Sequence, residues 1–456
     1  MKKMTKILLI GKSGRLDAMA EALYRSSRNK EIYLLSEVNS PGLARKARKV
    51  WREARTDDPD VVAGYAKEIR PDFAIIGPEE PLASGVVDKL RELGIPTVGP
   101  SRSLARLESS KAFTRTLLEK YRIDGRIKYR TFEVEDGLEA YLHELSEFVI
   151  KPDGLTGGKG VRVFGDHFAT IEEGLSYCRQ LLASGATLIV EEKLIGEEFS
   201  FQSFCDGRHV CDMIPVQDHK RAEEGDRGPN TGGMGSYSCE DHLLPFLSQD
   251  HIDEASRINK AVAAALLNEC REEYKGILYG SFILTKDGLK IIEYNARFGD
   301  PEAMNVLSLL RTDFIDICEA IISGTLDKLH IAFDRKATVC KYVVPRGYPN
   351  SAENGSKIDL SHVTHSRNLR IFYGAVSGTR DDDLELTGSR AVAFLGIGDS
   401  LKAAEEIAER AAMQVVGPVR HRADIGTTKL VERRADHMKA ILGADYLYAA
   451  QPKRAV

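Results

Sequence analysis

The chain has 456 residues, 43% of them hydrophobic and 29% charged, with a formal net charge of −4 at neutral pH. That length exceeds one compact domain and predicts roughly three units of about 150 residues. The near-neutral balance excludes bulk attraction to nucleic acid or an anionic membrane surface, while leaving room for small anions held by local clusters of Lys and Arg.

In chain order, the opening MKKMTKILLIG is basic, but its apolar run covers only residues 7–10, short of the about 7–15 residues of a secretory core. No stretch approaches the about 20 residues of a membrane span, so a cytoplasmic location and no membrane partner are expected. Residues 6–10 (KILLI) end in Gly11 and predict a buried strand. A helix over 17–25, a strand over 31–35, an amphipathic stretch over 60–69, a strand over 73–76, a helix over 83–93 and a short strand over 96–98 follow. This alternation predicts a doubly wound parallel sheet, with ligands beyond the carboxyl ends of its strands, where 11–15 and 77–82 lie. Residues 103–121 predict a helix bridging to a more β-rich unit, with strands over 147–151, 161–164 and 188–191 and a helix over 171–182. The polar, Gly-rich stretch 217–237 has no apolar period and predicts a long loop, either functional or disordered. A long helix over 251–273 precedes a hairpin, 277–285 and 289–295, across Lys286-Asp287-Gly288. A helix over 306–323 follows, and a fresh unit begins after about Thr325, with strands over 337–344, 371–375 and 391–395 and a helix over 400–412. The seven cysteines form no Cys-x-x-Cys pair, and their odd number fits scattered free thiols.

Four segments carry chemistry. In VIKPDGLTGGKGV (149–161) a strand delivers Lys151 and a Gly-rich loop, with Gly157 and Gly158, delivers Lys159. Glycines there let backbone N–H groups approach an anion, and two lysines suit a polyphosphate, although a mobile hairpin with solvated lysines is an equal reading of that segment alone. VEEKLIGEEF (190–199) places carboxylates at a strand end, then a short connector at Gly196, then Glu197 and Glu198, which suit ribose hydroxyls, although an acidic surface turn is the favoured reading of that segment alone. In IIEYNARFGDP (291–301) a period of two puts Glu293 and Asn295 on one face, a pair of hard oxygen ligands suited to a divalent cation bridged to phosphates. DHKRAEEGDRGPNTGGMGSY (218–237) can fold over a substrate and supply N–H, Lys and Arg donors. Neither Gly11-Lys12-Ser13-Gly14 nor the 157–160 loop has Walker A spacing, and the first turn lacks the dinucleotide Gly-x-Gly-x-x-Gly.

The order of these pieces resembles the ATP-grasp fold. GPEEPLASGVVD (77–88), LESSKAFTRTLL (107–118), DHKR (218–221), GPNTGGMGSY (228–237), RFGDPE (297–302) and ADIG (423–426) are together similar to the phosphoribosylamine–glycine ligase family, over residues 6 to about 431. The fold this implies is α/β and α+β multidomain: a Rossmann-like substrate domain over 1–106, an ATP-grasp domain over 107–324 with its small lobe at about 126–193, a small α+β domain over 325–436, and a C-terminal helix and tail over 437–456. The activity it implies is ATP-dependent ligation of glycine to 5-phosphoribosylamine through a glycyl phosphate, with Mg²⁺ or Mn²⁺, small-molecule partners only, and a monomer or weak homodimer. By the same resemblance Lys111 and Lys151 contact ATP phosphates, and Gly157, Gly158 and Lys159 form the covering loop. Glu191 and the Leu194 backbone take the adenine side, and Glu198 the ribose. Glu293 and Asn295 hold the metal. Arg297, Asp218 and Lys220 orient glycine or its acyl phosphate. Gly14, Arg15, Glu79, Asn230 and Gly233 face phosphoribosylamine. One departure falls on the amine-substrate side: members usually open with Gly-x-Gly-Gly-Arg-Glu-His-Ala, and here Leu16 and Asp17 replace Glu-His. Rival readings are an ATP-grasp ligase for another carboxylate and a non-catalytic nucleotide-binding protein.

Overall fold

The computed structural model describes residues 4–443 apart from 53, 158 and 159. Near the N-terminus, five parallel strands lie in the spatial order Lys49–Trp51, Lys30–Leu35, Thr5–Ile10, Phe73–Ile76, Thr97–Val98. Ile7, Leu8, Leu9 and Ile10 have no exposed surface, as expected of a central parallel strand covered on both faces. The order reverses beside Thr5–Ile10, so the turns after it and after Phe73–Ile76 open side by side, and the Gly77 N–H donates to the Ile10 carbonyl at 2.9 Å. Such a switch point leaves a crevice at the carboxyl ends of the strands.

Two antiparallel sheets follow. The small lobe has the order Tyr129–Phe132, Leu188–Glu192, Phe148–Pro152, Arg162–Val163, flanked by helices Leu138–Leu145 and Ile171–Ala183. Phe132, Leu142, Phe148, Ile150, Leu175 and Val190 give it a core of its own, separate from the main core. The large lobe has the order Val210–Asp212, Gly196–Asp206, Lys275–Thr285, Gly288–Asn295, with the 22-residue helix Gln249–Cys270 packed on it. A six-stranded sheet then joins Gln217–Asp218 and Gly235–Ser238 to Ala337–Pro345, Val392–Gly398 and Leu369–Tyr373, with Val419–Arg420 also paired to Ala337–Pro345. The C-terminal strands therefore share a sheet with the segment expected to be a loop. Among the described residues no helix is long and apolar enough to cross a membrane.

Several expectations are corrected. The helix expected over 103–121 breaks into Arg102–Ser109 and Lys111–Lys120, because the Ser110 side chain accepts the Phe113 N–H at 3.1 Å and caps a new start. The one over 83–93 splits into Glu79–Ser84 and Val86–Glu92, and the one over 306–323 into Glu302–Leu309 and Phe314–Ser323, the latter capped by Asp313. The connector at Gly196 is the start of the eleven-residue strand Gly196–Asp206. The stretch 217–237 is strands rather than loop: Arg221–Glu223 and Arg227–Asn230 form a hairpin between Gln217–Asp218 and Gly235–Ser238. His219, Ala222, Met234 and Tyr237 are buried there. Helix Thr428–Leu442 begins nine residues before the expected 437.

Candidate active site

Glu293 and Asn295 stand on strand Gly288–Asn295, opposite Ser281 and Tyr279 of its partner. The pairing shifts between Ser281 and Phe282, leaving Ile292 as an extra residue. A bulge of this kind frees consecutive carbonyls from the ladder. Those of Ile291 and Ile292 accept the Arg115 Nη1 and Nη2 at 2.9 and 2.7 Å. Arg115 Nε in turn pairs with Glu191 Oε1 at 2.7 Å, and Lys151 Nζ pairs with Glu191 Oε2 at 2.6 Å. Burial alone would raise the Glu191 carboxyl, but Arg115 and Lys151 overcome it and bring it down to about 2. Both oxygens of Glu191, the residue expected on the adenine side, are paired with cations, and Lys151 Nζ also lies 3.4 Å from the Ile292 carbonyl of strand Gly288–Asn295.

Four cations from separate segments converge on Glu293. Burial would raise its carboxyl, yet Lys220, Lys151, Lys111 and Arg297, in that order of strength, hold it below the ordinary range. Lys111 Nζ donates to the Gly154 carbonyl at 2.7 Å, and burial lowers its own pKa. Lys220 Nζ lies 3.2 Å from the exposed Glu198, whose charge is the main reason its pKa is raised. Leu194 is half-buried at the hinge between Leu188–Glu192 and Gly196–Asp206, and Gly157 is exposed at the edge of the small lobe. Gly158 and Lys159 lie outside the described residues. Among the described residues no three His, Cys, Asp or Glu side chains gather as a metal cage. The hard oxygens of Glu293 and Asn295 beside three lysines therefore suit a divalent cation that takes its remaining ligands from phosphate and water.

On the other side of Arg297 the charges alternate. Its Nε donates to Glu79 Oε2 at 3.2 Å and its Nη2 pairs with Glu108 Oε1 at 3.0 Å. Glu79 also takes Arg15 Nη1 at 3.3 Å, and the Arg15 N–H donates to Asp300 Oδ2 at 3.2 Å. Burial opposes ionisation of Glu79, but Arg297 and Arg15 bring it to about 2; Glu108, largely withdrawn from water and with the Glu79 charge nearby, is pushed up to about 7. Tyr342 Oη donates to Asp300 Oδ1 at 2.7 Å, and Arg390 Nη1 lies 3.2 Å from the same oxygen. Asp218 Oδ1 is buried with no partner, and burial, then the charge of Glu302, raises its pKa well above normal. Gly233, at φ +112°, lies against it: a Cβ there would be 2.7 Å from Asp218 Oδ1.

Arg15, Glu79, Asp218, Lys220, Gly233, Glu293, Asn295 and Arg297 thus belong to one continuous cluster. Gly14 opens the first helix at its edge, whereas Asn230 is exposed on the hairpin. The sequence reading missed Glu108, Asp300, Glu302, Tyr342 and Arg390. Glu108, Asp300 and Glu302 stood inside quoted motifs; Tyr342 and Arg390 carried no local signal. Next to the cluster, Lys12, Ser13 and Asn39 face Tyr342, Ser377 and Arg390 across a cavity of about 470 Å³. Asn39 Oδ1, in its lining, is buried without a hydrogen-bond partner, as is Arg15 Nε outside it, 3.9 Å from Asp300 Oδ2.

Comparisons with known proteins agree with this layout. Residues 5–108 match the N domain of the phosphoribosylglycinamide synthetase family model, 109–303 its ATP-grasp (A) domain, and 338–428 its C domain. The phosphoribosylamine–glycine ligase of Methanobrevibacter smithii is 47% identical over 445 residues, covering 96% of this chain and all of that protein. That of Methanocaldococcus jannaschii is 44% identical over 444 residues, covering 96% and 99%. The crystal structure of phosphoribosylamine–glycine ligase from Thermotoga maritima superposes with a TM-score of 0.77 at 26% identity, over 92% of this chain and all of that one. Biotin carboxylase from Campylobacter jejuni shares the fold, with a TM-score of 0.70 at 14% identity over 98% of each chain. With three consecutive domain matches and near full-length relatives, the chain belongs to the phosphoribosylamine–glycine ligase family.

Proposed function

We propose that the protein uses ATP to join glycine to 5-phosphoribosylamine, giving glycinamide ribonucleotide, ADP and phosphate, in purine biosynthesis. The observation that carries this is the convergence of Lys220, Lys151, Lys111 and Arg297 on Glu293, two residues from Asn295. A carboxylate is a poor electrophile, because oxide is a poor leaving group. Its oxygen attacks the γ-phosphorus of ATP, the bond to the bridging oxygen breaks, and ADP leaves. The resulting glycyl phosphate has a stable leaving group. The amine nitrogen then attacks the carbonyl carbon; phosphate departs with the former carboxylate oxygen and takes up the amine proton.

The side chains position and neutralise rather than form covalent bonds. Lys111 and Lys151 hold the phosphates, with Gly157, Gly158 and Lys159 over them. Leu194 meets the adenine through its backbone and Glu198 the ribose. Glu293 and Asn295 would hold Mg²⁺ or Mn²⁺, which would supply positive charge to offset that of the phosphates. Arg297 and Lys220 orient the carboxylate and its phosphate, and the unpaired Asp218 Oδ1 accepts from the glycine ammonium. Arg15, Glu79, Gly14 and Gly233 face phosphoribosylamine, whose phosphorylated pentose occupies the cavity beside Lys12 and Arg390. A cytoplasmic monomer or weak homodimer acting on small molecules fits this reading.

The test is phosphate release with ATP, glycine and freshly generated phosphoribosylamine, leaving out one component at a time. Turnover is expected only with all three. Equal phosphate release when alanine replaces glycine would sink the assignment of the carboxylate substrate.

A further inference from the structure

Asp17 has no part in the chemistry above, yet it is fully buried between two domains. It lies in the first turn of helix Gly14–Arg25, which opens beside the cavity. Its Oδ1 accepts from Lys46 Nζ at 2.6 Å, and its Oδ2 accepts from the backbone N–H of Tyr373 at 2.9 Å. The Lys46 side chain is only 10% exposed and also pairs with Glu21 at 3.3 Å. A carboxylate withdrawn from water is tolerated only with partners of this kind.

Tyr373 ends the C-terminal-domain strand Leu369–Tyr373, and residues 374–377 immediately after it form the cavity wall opposite Ser13 and Asn39. Neighbouring contacts tie down the same wall. Tyr373 Oη donates to Asp381 at 2.5 Å, Asp381 pairs with Arg45 Nη2 at 2.5 Å, and the Gly378 N–H donates to the Asn39 carbonyl at 2.8 Å. Gly42 makes room for the Tyr373 ring, since a Cβ there would lie 2.3 Å from it and 2.6 Å from Asp17 Oδ2.

We propose that Asp17 is a positioning residue for the amine substrate. Acting through the Tyr373 N–H and Lys46, it sets the separation between the Lys12-Ser13-Gly14 turn and the 374–377 wall, and hence how firmly the cavity holds a phosphorylated pentose. This rests on phosphoribosylamine occupying that cavity. Removing the carboxylate charge leaves the buried Lys46 ammonium with only the more distant Glu21 as counter-ion, and admitting water by letting the strand end move outward relieves that. The lysines around Glu293 stand on other elements and pair with none of Asp17, Lys46 or Tyr373, so the ATP constants are expected to change little.

Asp17→Asn retains an acceptor for the Tyr373 N–H and removes the charge facing Lys46. It is expected to raise KM for phosphoribosylamine, and Kd for the stable probe ribose 5-phosphate measured by calorimetry, by about tenfold, with kcat and the KM for ATP and glycine within about twofold. Gly42→Ala, which crowds the Tyr373 ring without altering any charge, should give the same selective rise. Unchanged constants overturn the proposal. So does a fall in kcat with matching changes in all three KM values, which would assign Asp17 to general stability. If Asp17→Asn does not fold, Gly42→Ala decides alone. The functional reading fails separately: a wild-type protein that turns over without the amine, or that does not bind ribose 5-phosphate, removes the cavity's occupant and overturns both.

Discussion

In the proposed mechanism Glu293 supplies the one carboxylate of the Glu293–Asn295 metal pair. Replacing it with Gln keeps the shape but removes the charge that four cations surround, so Glu293→Gln is expected to lower kcat by about a hundredfold or more at saturating Mg²⁺, with its circular dichroism unchanged. Near-normal kcat would remove Glu293 from the metal site. Arg115 is a different case, because it touches no substrate in this reading. It satisfies Glu191 and two carbonyls freed by the bulge, so Arg115→Met should cost about 3–5 kcal/mol of stability in urea unfolding by leaving Glu191 less compensated. The same ion pairs make a pH prediction. A carboxyl held at about 2 when folded, against an ordinary 4.5, contributes stability above pH 4.5 that is lost as pH falls toward 2. Wild-type Tm should therefore drop more than that of Glu191→Gln between about pH 5 and about pH 3. Parallel curves would contradict that role.

At the scale of elements, the hairpin Arg221–Glu223 and Arg227–Asn230 differs from the lid its composition suggests. Its tip is tethered: Asp226 accepts from Arg422 Nη1 at 3.0 Å and from Arg433 and Arg434 Nη2 at 2.5 Å each, while Asp424 takes the Gly225 N–H at 2.8 Å. The hairpin is thus a fixed platform for Asp218 and Lys220 at its base. Asp226→Asn should lower amide-exchange protection over 221–230 and reduce kcat/KM by about tenfold, since charge-assisted bonds of this kind are worth about 1.5–3 kcal/mol each. Unaltered exchange would show that the tether does not hold it. Composition read this segment as loop because its buried residues are isolated, and the arginines that satisfy it arrive some two hundred residues later. The helix breaks at Ser110 and Gly85 are, by contrast, encoded locally, by a capping hydroxyl and by a glycine at φ +91°, although the apolar period runs through both.

For the molecule as a whole, the small lobe is set apart by a core closed on itself. It meets the platform through a pair between Asp166 and Arg221, which hold side chains 43% and 27% exposed. A solvent-exposed pair is worth about 0–1 kcal/mol and is screened by salt, so Asp166→Asn should raise KM for ATP no more than about fivefold at low salt, and the difference should vanish near about 1 M salt. A large, salt-independent effect would mean that Asp166 touches the nucleotide.

The sequence by itself determined the parallel first domain, through buried runs such as 7–10 and 73–76, and singled out the proposed phosphate and metal ligands, through Lys151, Glu293 and Asn295 in quotable motifs. Both are local: a strand's period and a motif's residue types are set by neighbours along the chain. Tertiary structure alone decided that Glu191 neutralises Lys151, that Arg390 and Tyr342 reach Asp300, that Asp17 clamps Tyr373, and that a strand of the C-terminal domain completes the sheet beginning at Gln217–Asp218. A buried charge is stable only beside its counter-charge, and which counter-charge it meets depends on how distant segments pack, a choice that no stretch of neighbouring residues encodes.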